Sequence, residues 1–336
     1  MSERITILGA GSWGMAVARL LDNNGKNVTL WEFDQAEFNR LVRLRGIPEK
    51  LKSFSLAPSI TITHDLADAL DGCEILVLAV PAQFVRSVIR PVGERMALIS
   101  DGIVNLAKGI EAGTLKRVSE VILDEAPVSP DRIITMSGPS HAEEVILDVP
   151  TTVVAGGKSV EMVERVQAAF SNTYFRVYKS DDVVGVELGG SLKNIIAIAA
   201  GITDGLGLGD NTKGALITRG LAEITRLGLA MGARAETFAG LSGVGDLVTT
   251  CYSQHSRNRY VGEQIAKGRK LREILENLKM VAEGVETTRS GYKLARLRDV
   301  EMPITNEVYE VLFRDKPPSE ALQDLMGREL KAEIWK

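Results

Sequence analysis

Along the first half of the chain, short apolar runs alternate with stretches whose apolar positions recur every three to four residues. The runs Ile5 to Leu8, Asn27 to Trp31, Glu74 to Val80, Arg132 to Met136, Thr151 to Ala155 and Tyr174 to Tyr178 are short and rich in β-branched and aromatic residues. Those features predict strands. Between them, Gly14 to Asn24 and Val160 to Phe170 carry the helical period. Strand and helix in alternation predict a mostly parallel, doubly wound Rossmann-type sheet covered on both faces.

After KSDD at residues 179–182 the pattern changes, and the segments lengthen to helical size. Ser180 or Asp181 is expected to cap a long helix starting near Val183. Further helices are predicted at Thr212 to Met231, Arg257 to Lys267, Leu271 to Asn277, Thr287 to Leu297, Ile304 to Leu312 and Ser319 to Lys331. The expected organisation is α/β: a Rossmann domain over residues 1–180, then an all-α domain over 181–336. The sequence shows no internal repeat and no low-complexity segment.

Composition narrows the partners. The 336 residues, 45% of them hydrophobic, can bury the cores of two domains. The net charge of −4 arises from 40 basic and 44 acidic side chains that are well mixed. No basic stripe for nucleic acid or an anionic membrane stands out. Cys73 and Cys251 form no paired pattern and the three histidines are scattered, so a reducing compartment is expected and a structural metal is not. The start lacks a basic stretch followed by a long apolar one, and no apolar run is expected to span a bilayer. A cytoplasmic location is the expectation.

Gly9-Ala10-Gly11-Ser12-Trp13-Gly14 matches G-x-G-x-x-G. A predicted strand precedes it, a helix follows, and a second strand ends at an acidic residue about 20 positions on, as a dinucleotide site requires. The glycines permit a tight turn and close approach of a pyrophosphate to a helix N-terminus, where unpaired N–H groups favour an anion. Glu32 stands where a carboxylate takes the adenosine ribose hydroxyls. Phe33 follows it and offers no cation to a 2′-phosphate, although Arg40 and Arg43 lie on the next helix. NAD is therefore expected over NADP.

The stretch VELGGSLKNIIAIAAG, residues 186–201, is apolar or small at nearly every position except Lys193. By helical spacing, Gly189, Gly190, Ala197 and Ala200 share its face, which predicts a shallow groove with an ammonium in its floor. Asn194 adjoins it and a glycine-rich turn, GITDGLGLGDN, is expected next. Four other stretches look unlike ordinary surface: Lys108 in LAKGI, Gly138 and Ser140 in SGPSHAEE after a strand end, Asp246 in LSGVGDLVTTC, and Ser256, Arg257, Asn258 and Arg259 in HSRNR. Together they supply cations, a carboxylate and neutral donors for a small anionic substrate with a carbonyl.

These motifs carry a resemblance. GAGSWG, LAKGIE, SGPSHAEEV, GVELGGSLKNIIAIAAGITDGLGLGDN, LITRGLAE, GVGDLVTTC, SRNR, VAEGVETT and MPITNEVYEVLF stand in the order of the bacterial NAD(P)-dependent glycerol-3-phosphate dehydrogenases, which the chain resembles over nearly its whole length. The resemblance implies a 6-phosphogluconate dehydrogenase C-terminal-like helical domain. It also implies reversible interconversion of dihydroxyacetone phosphate and sn-glycerol 3-phosphate for phospholipid synthesis. Lys193 matches the catalytic lysine, and Lys108, Gly138, Ser140, Asp246, Ser256, Arg257 and Asn258 match substrate-contacting positions. Thr250 matches a threonine near the active site of eukaryotic members. Ser12, Trp13, Lys108, Ala142, Arg257, Val281 and Glu283 match cofactor-contacting positions.

Two departures stand out. Phe33 replaces the family's usual bacterial arginine or histidine, giving a W-x-F pattern similar to the NAD-specific eukaryotic enzymes. Lys50-Leu51-Lys52-Ser53 replaces the usual aromatic-Leu-Pro-Gly segment. A β-hydroxyacid dehydrogenase of similar architecture and a non-catalytic NAD(H)-binding redox sensor are the rival readings. The apolar helical half also suggests a homodimer.

Overall fold

A computed structural model of the chain describes residues 2–99, 101–278 and 280–333, so the outermost ends of the two expected units, Met1 and 334–336, lie outside it. Eight strands form one sheet: β1 Arg4–Leu8, β2 Asn27–Trp31, β3 Thr61–Thr63, β4 Ile75–Leu78, β5 Gly102–Asn105, β6 Ile133–Ser137, β7 Thr151–Gly157 and β8 Phe175–Ser180. Their order is β3-β2-β1-β4-β5-β6-β7-β8. All neighbours are parallel except β6 and β7, which run antiparallel. The chain winds outward from β1 to β2 and β3, then returns to the other side of β1 at β4. That reversal opens a crevice at the carboxyl ends of β1 and β4, where open α/β sheets bind ligands.

Strands β4, β5 and β6 are buried at every position, as expected of a sheet covered on both faces. The apolar pattern did not disclose β3 and β5. Only three residues long, β3 is a partly exposed edge strand. Its neighbour in difficulty, β5, begins at a glycine and ends at the buried but polar Asn105, which weakens an apolar signal.

The helical half starts at Val183, and the long helix Val183–Gly205 runs through its middle. Its cap is Asp182 rather than Ser180 or Asp181: the Asp182 carboxylate accepts from Gly185 N at 2.9 Å, Arg234 N at 2.9 Å and Thr237 Oγ1 at 2.6 Å. The expectation that no apolar segment reaches bilayer length is corrected here. This helix is long and apolar enough to cross a membrane by length and composition, but 89% of its most apolar window is buried inside the protein. It is the core of the helical half.

The glycine-rich stretch after it is also not the expected turn. Gly201 and Gly205 lie within the helix and the connection is short, because the next helix, Gly209–Ala230, begins at once. A Cβ on Gly201 would stand 1.8 Å from Arg259 O, and one on Gly262 would stand 1.9 Å from Ile198 O. The helix Arg257–Ala266 therefore crosses the long helix backbone to backbone, a contact only glycine permits. Asp204 fastens the crossing through Arg259 at 2.6 Å and ties the next helix, Gly209–Ala230, through Lys213 at 2.5 Å. Two boundaries also move. Glu283–Leu297 starts a turn earlier than predicted, since Gly284 packs against Asn194 O instead of breaking the helix, and the last helix, Pro318–Met326, ends well before Lys331.

The helix Pro303–Phe313 has no cap of its own, and Glu223 of Gly209–Ala230 serves instead. Its buried carboxyl accepts from Ile304 N at 2.6 Å, Thr305 N at 3.1 Å and Thr305 Oγ1 at 3.2 Å. Glu223→Ala leaves these donors unmade and is expected to cost about 2–3 kcal/mol in urea unfolding. Burial raises this carboxyl to a pKa of about 7 despite those bonds. A raised carboxyl stabilises most below its unfolded value and loses that effect as pH rises through its folded one. The penalty of the Ala variant is therefore expected to be larger around pH 5.5 than around pH 8.5.

Candidate active site

The carboxyl ends of the parallel strands face the long helix, and the site lies between them. Lys193 is 5% exposed at mid-helix. It has no acidic partner on its own helix, and its partner comes from another element: Nζ is hydrogen-bonded to Asp246 Oδ1 and, at 2.6 Å, to Thr250 Oγ1. Thr250 Oγ1 in turn donates to Asp246 O at 2.6 Å. The other Asp246 oxygen, Oδ2, receives Lys108 Nζ at 2.8 Å and Ser137 Oγ at 3.4 Å. Two ammonium groups thus share one buried carboxylate, leaving a net positive charge.

Glycines bring these groups into reach. Asp246 opens the helix Asp246–Tyr252 directly after the turn Leu241–Gly245. A Cβ on Gly243 would lie 2.0 Å from Phe238 O, and one on Gly189 would lie 2.4 Å from Ser242 O. The turn can therefore press against the long helix and aim Asp246 at Lys193. A Cβ on Gly190 would meet Ser137 Oγ at 2.4 Å. On the small face beside Lys193, the two glycines are thus taken up by close packing against the Ser242 backbone and Ser137.

The remaining substrate-side positions gather around this cluster. Gly138 adopts φ 142°, and a Cβ there would stand 2.9 Å from Val153 Cα. Its carbonyl accepts from Lys108 Nζ at 3.0 Å and Ser140 Oγ at 2.9 Å. Asn258 is spent on the protein itself: Nδ2 donates to Asn194 Oδ1 at 2.9 Å, and Oδ1 accepts from Gly284 N at 2.9 Å. Asn194 Nδ2 reaches Lys108 O at 3.4 Å, so this pair braces the two walls of the site. Ser256 caps its own helix by accepting from Arg259 N at 3.2 Å. Arg257 is exposed beside it and donates to Val281 O at 2.6 Å.

Burial sets the charges. It pulls the Lys193 ammonium down to a pKa of about 8, against the attraction of Asp246 and with the repulsion of Lys108. Burial alone would raise the Asp246 carboxyl, but Lys108 and Lys193 hold it below the usual carboxylate range. On the facing wall, Glu283 Oε1 accepts from Ala82 N at 3.0 Å while Oε2 is buried without a partner, and burial raises this carboxyl to about 7.

The glycine-rich turn lies at the end of β1. Gly9 needs its φ of 111°, and a Cβ on Gly14 would stand 1.9 Å from Gly9 O. Gly11 is different, because a Cβ there would meet nothing within 4 Å. The protein itself does not demand that glycine, and the open space beside it at the start of Ser12–Asn23 fits an approaching pyrophosphate. Ser12 Oγ donates to Lys50 O at 3.0 Å and lies 3.1 Å from Met280 Sδ, so the divergent 50–53 loop packs on this turn. Trp13 is partly buried, its ring 6.4 Å from that of Phe175. Ala142 is buried at the start of a short helix, and Val281 is exposed.

Glu32 and Phe33 sit apart from the lysine cluster, at the end of β2. Glu32 Oε1 accepts from Asp34 N at 3.0 Å, and Phe33 is 70% exposed. Arg40 does not reach back to them, being held by Glu37 and Glu49 at 2.7 Å each. Sequence reading missed Ser137, His141 and the bracing role of Asn194. Ser137 and His141 look like ordinary strand-end residues, and Asn194 is distinguished only by adjoining Lys193.

Residues 4–163 match the family profile described as NAD-dependent glycerol-3-phosphate dehydrogenase N-terminus, and residues 182–323 match its C-terminus counterpart. The chain is 51% identical over 334 residues to glycerol-3-phosphate dehydrogenase [NAD(P)+] of Thermoanaerobacter sp. (strain X514), covering 98% of this chain and 99% of the relative. It is 49% identical to the Geobacter sulfurreducens protein of the same name, over 100% of both chains. The crystal structure of glycerol-3-phosphate dehydrogenase from Coxiella burnetii superimposes with a TM-score of 0.92 at 36% identity, covering 97% of this chain and 99% of that one. With its sheet, its glycine turn and its buried lysine cluster in the same frame, the chain belongs to the NAD-dependent glycerol-3-phosphate dehydrogenase family.

Proposed function

We propose that this protein is a glycerol-3-phosphate dehydrogenase that interconverts dihydroxyacetone phosphate and sn-glycerol 3-phosphate in the cytoplasm, feeding phospholipid synthesis. The observation that carries the reading is the pair of lysines on one buried carboxylate at the sheet's carboxyl edge. A redox sensor has no use for a cation kept there against the cost of desolvation. Residues 1–180 hold the dinucleotide, and 181–336 supply most of the substrate site.

The nicotinamide cofactor, when bound, supplies or accepts the hydride at C2 of the triose. Gly9, Gly11 and Gly14, with Ser12 and Trp13, form its turn, Glu32 takes the adenosine ribose, and Ala142, Val281 and Glu283 line its path. Lys193 acts on the C2 oxygen. Two of its N–H bonds go to Asp246 and Thr250, which leaves a third for the carbonyl. As an ammonium it donates the proton during reduction, and as an amine it accepts the hydroxyl proton during oxidation. Asp246 fixes its direction, and Lys108 adds positive potential where the oxyanion develops. Arg257, Ser256 and the helix start they flank receive the phosphate, with Gly138 and Ser140 shaping the opposite side. Asn258 holds Asn194 and Gly284 in place.

Lys193→Ala is expected to lower turnover by roughly 10²–10⁴-fold. NADH affinity, read by fluorescence titration, stays within about threefold, because Lys108 still pairs Asp246 and the fold keeps its balance. Near-normal turnover would remove Lys193 from the chemistry.

The groups facing Lys193 are Asp246, Lys108, Cys251 and His141. With Lys193 titrating at about 8, kcat/KM for reduction should fall as pH rises through that value, while kcat/KM for oxidation should rise. Initial-rate profiles in both directions check the opposite slopes, and flat profiles between about pH 7 and 9 count against the assignment.

NADH is the preferred reductant, since Phe33 is apolar and Arg40 is already paired. Phe33→Arg should raise kcat/KM for NADPH by about tenfold, the effect of one added phosphate contact. An unchanged NADH to NADPH ratio would show that this position does not select the cofactor.

A further inference from the structure

His141 lies in the loop between β6 and the short helix Ala142–Val145, one residue beyond Ser140, and no role has been given to it so far. Its Nε2 is buried and meets no hydrogen-bond partner. Only two other buried side-chain atoms among the described residues share that state, Thr135 Oγ1 within β6 and Glu283 Oε2 on the facing wall. His141 lies within the field of the Lys193, Lys108 and Asp246 charges, whereas the charge acting on Glu283 is that of Arg257. The His141 ring also stands 5.9 Å from that of His255, at an angle of 54°, so the loop after β6 meets the segment before the helix Arg257–Ala266.

The chemistry of the ring restricts what it can hold. Burial drives its pKa down to about 4, and Lys193 and Lys108 push the same way while Asp246 opposes them. The imidazole is therefore neutral at working pH and is a poor anchor for phosphate, a role left to the guanidinium of Arg257. A neutral imidazole nitrogen can donate to or accept from a hydroxyl, according to tautomer. A triose phosphate bound with its phosphate toward Arg257 and its C2 oxygen on Lys193 has one polar group left, the hydroxyl on C1 next to the reacting carbon.

We propose that His141 Nε2 takes the C1 hydroxyl of the substrate and so makes the site select hydroxymethyl ketone phosphates over ketones that end in a methyl group. The assignment rests on the substrate reading given above. A buried polar atom left unmade penalises a ligand that cannot satisfy it, so discrimination appears as a ratio of kcat/KM values.

The test compares dihydroxyacetone phosphate with acetol phosphate, which lacks only that hydroxyl. Wild-type protein should favour the hydroxylated substrate by about tenfold or more. In His141→Phe that ratio should fall to within about threefold, mainly through a higher KM for dihydroxyacetone phosphate, with acetol phosphate turnover and NADH affinity retained. His141→Gln, which can still donate and accept, should restore most of the preference. A ratio unchanged in His141→Phe, or a wild-type protein that does not discriminate, overturns the assignment while leaving the function in place. Should His141→Phe not fold, the wild-type ratio and His141→Leu decide it. Absence of wild-type turnover on dihydroxyacetone phosphate would instead overturn the function and this assignment with it.

Discussion

Two lysines and one aspartate, buried where the helical half meets the sheet, set the terms for everything around them. Lys193 and Lys108 both pair with Asp246, and together they hold its carboxyl below the usual range against the opposing effect of burial. Each comes from a different element, so three parts of the backbone must arrive together. Gly189 and Gly243 exist to let the Asp246 turn reach the long helix. Gly138 exposes a carbonyl that steadies Lys108. The packing is shaped by a charge arrangement that would be unfavourable in any looser geometry.

The arrangement also explains why the ammonium is useful. A surface lysine titrates far above neutrality and releases its proton reluctantly. Burial moves Lys193 toward the pH of the medium, while Asp246 prevents the shift from going so far that the amine is always neutral. The same lysine can then give a proton in one direction and take it in the other. Thr250 contributes by fixing the ammonium's orientation, which concentrates its remaining N–H on one point in space.

Much of this was legible in the chain itself. Strong periodic signals gave six strands and the long helix, and an isolated lysine in a small, apolar stretch marked the site. What escaped the sequence was tertiary in origin. Gly201 and Gly205 read as turn residues because local propensity cannot tell a breaking glycine from one that admits a neighbouring backbone. The small face beside Lys193 was legible, but not that its two glycines take the Ser242 backbone and Ser137. Asn258 read as a substrate-contacting position, and the sequence did not show that its amide also joins Asn194 to Gly284. His141 gave no signal at all, since its distinction lies in a hydrogen bond it does not make.

Part of the brace between the two halves is made of the site's own polar groups, beside the Glu187 carboxylate that takes Ser119 and Arg117 from the sheet half. Lys108 to Asp246, Lys108 O to Asn194 and Ala82 N to Glu283 all cross from the sheet side to the helical side. Some of the groups that hold the layers together are thus groups a bound molecule would address. Ligand occupancy and the stiffness of the junction become one quantity felt at two places, and a molecule that re-pairs these bonds retunes how firmly the halves are clasped.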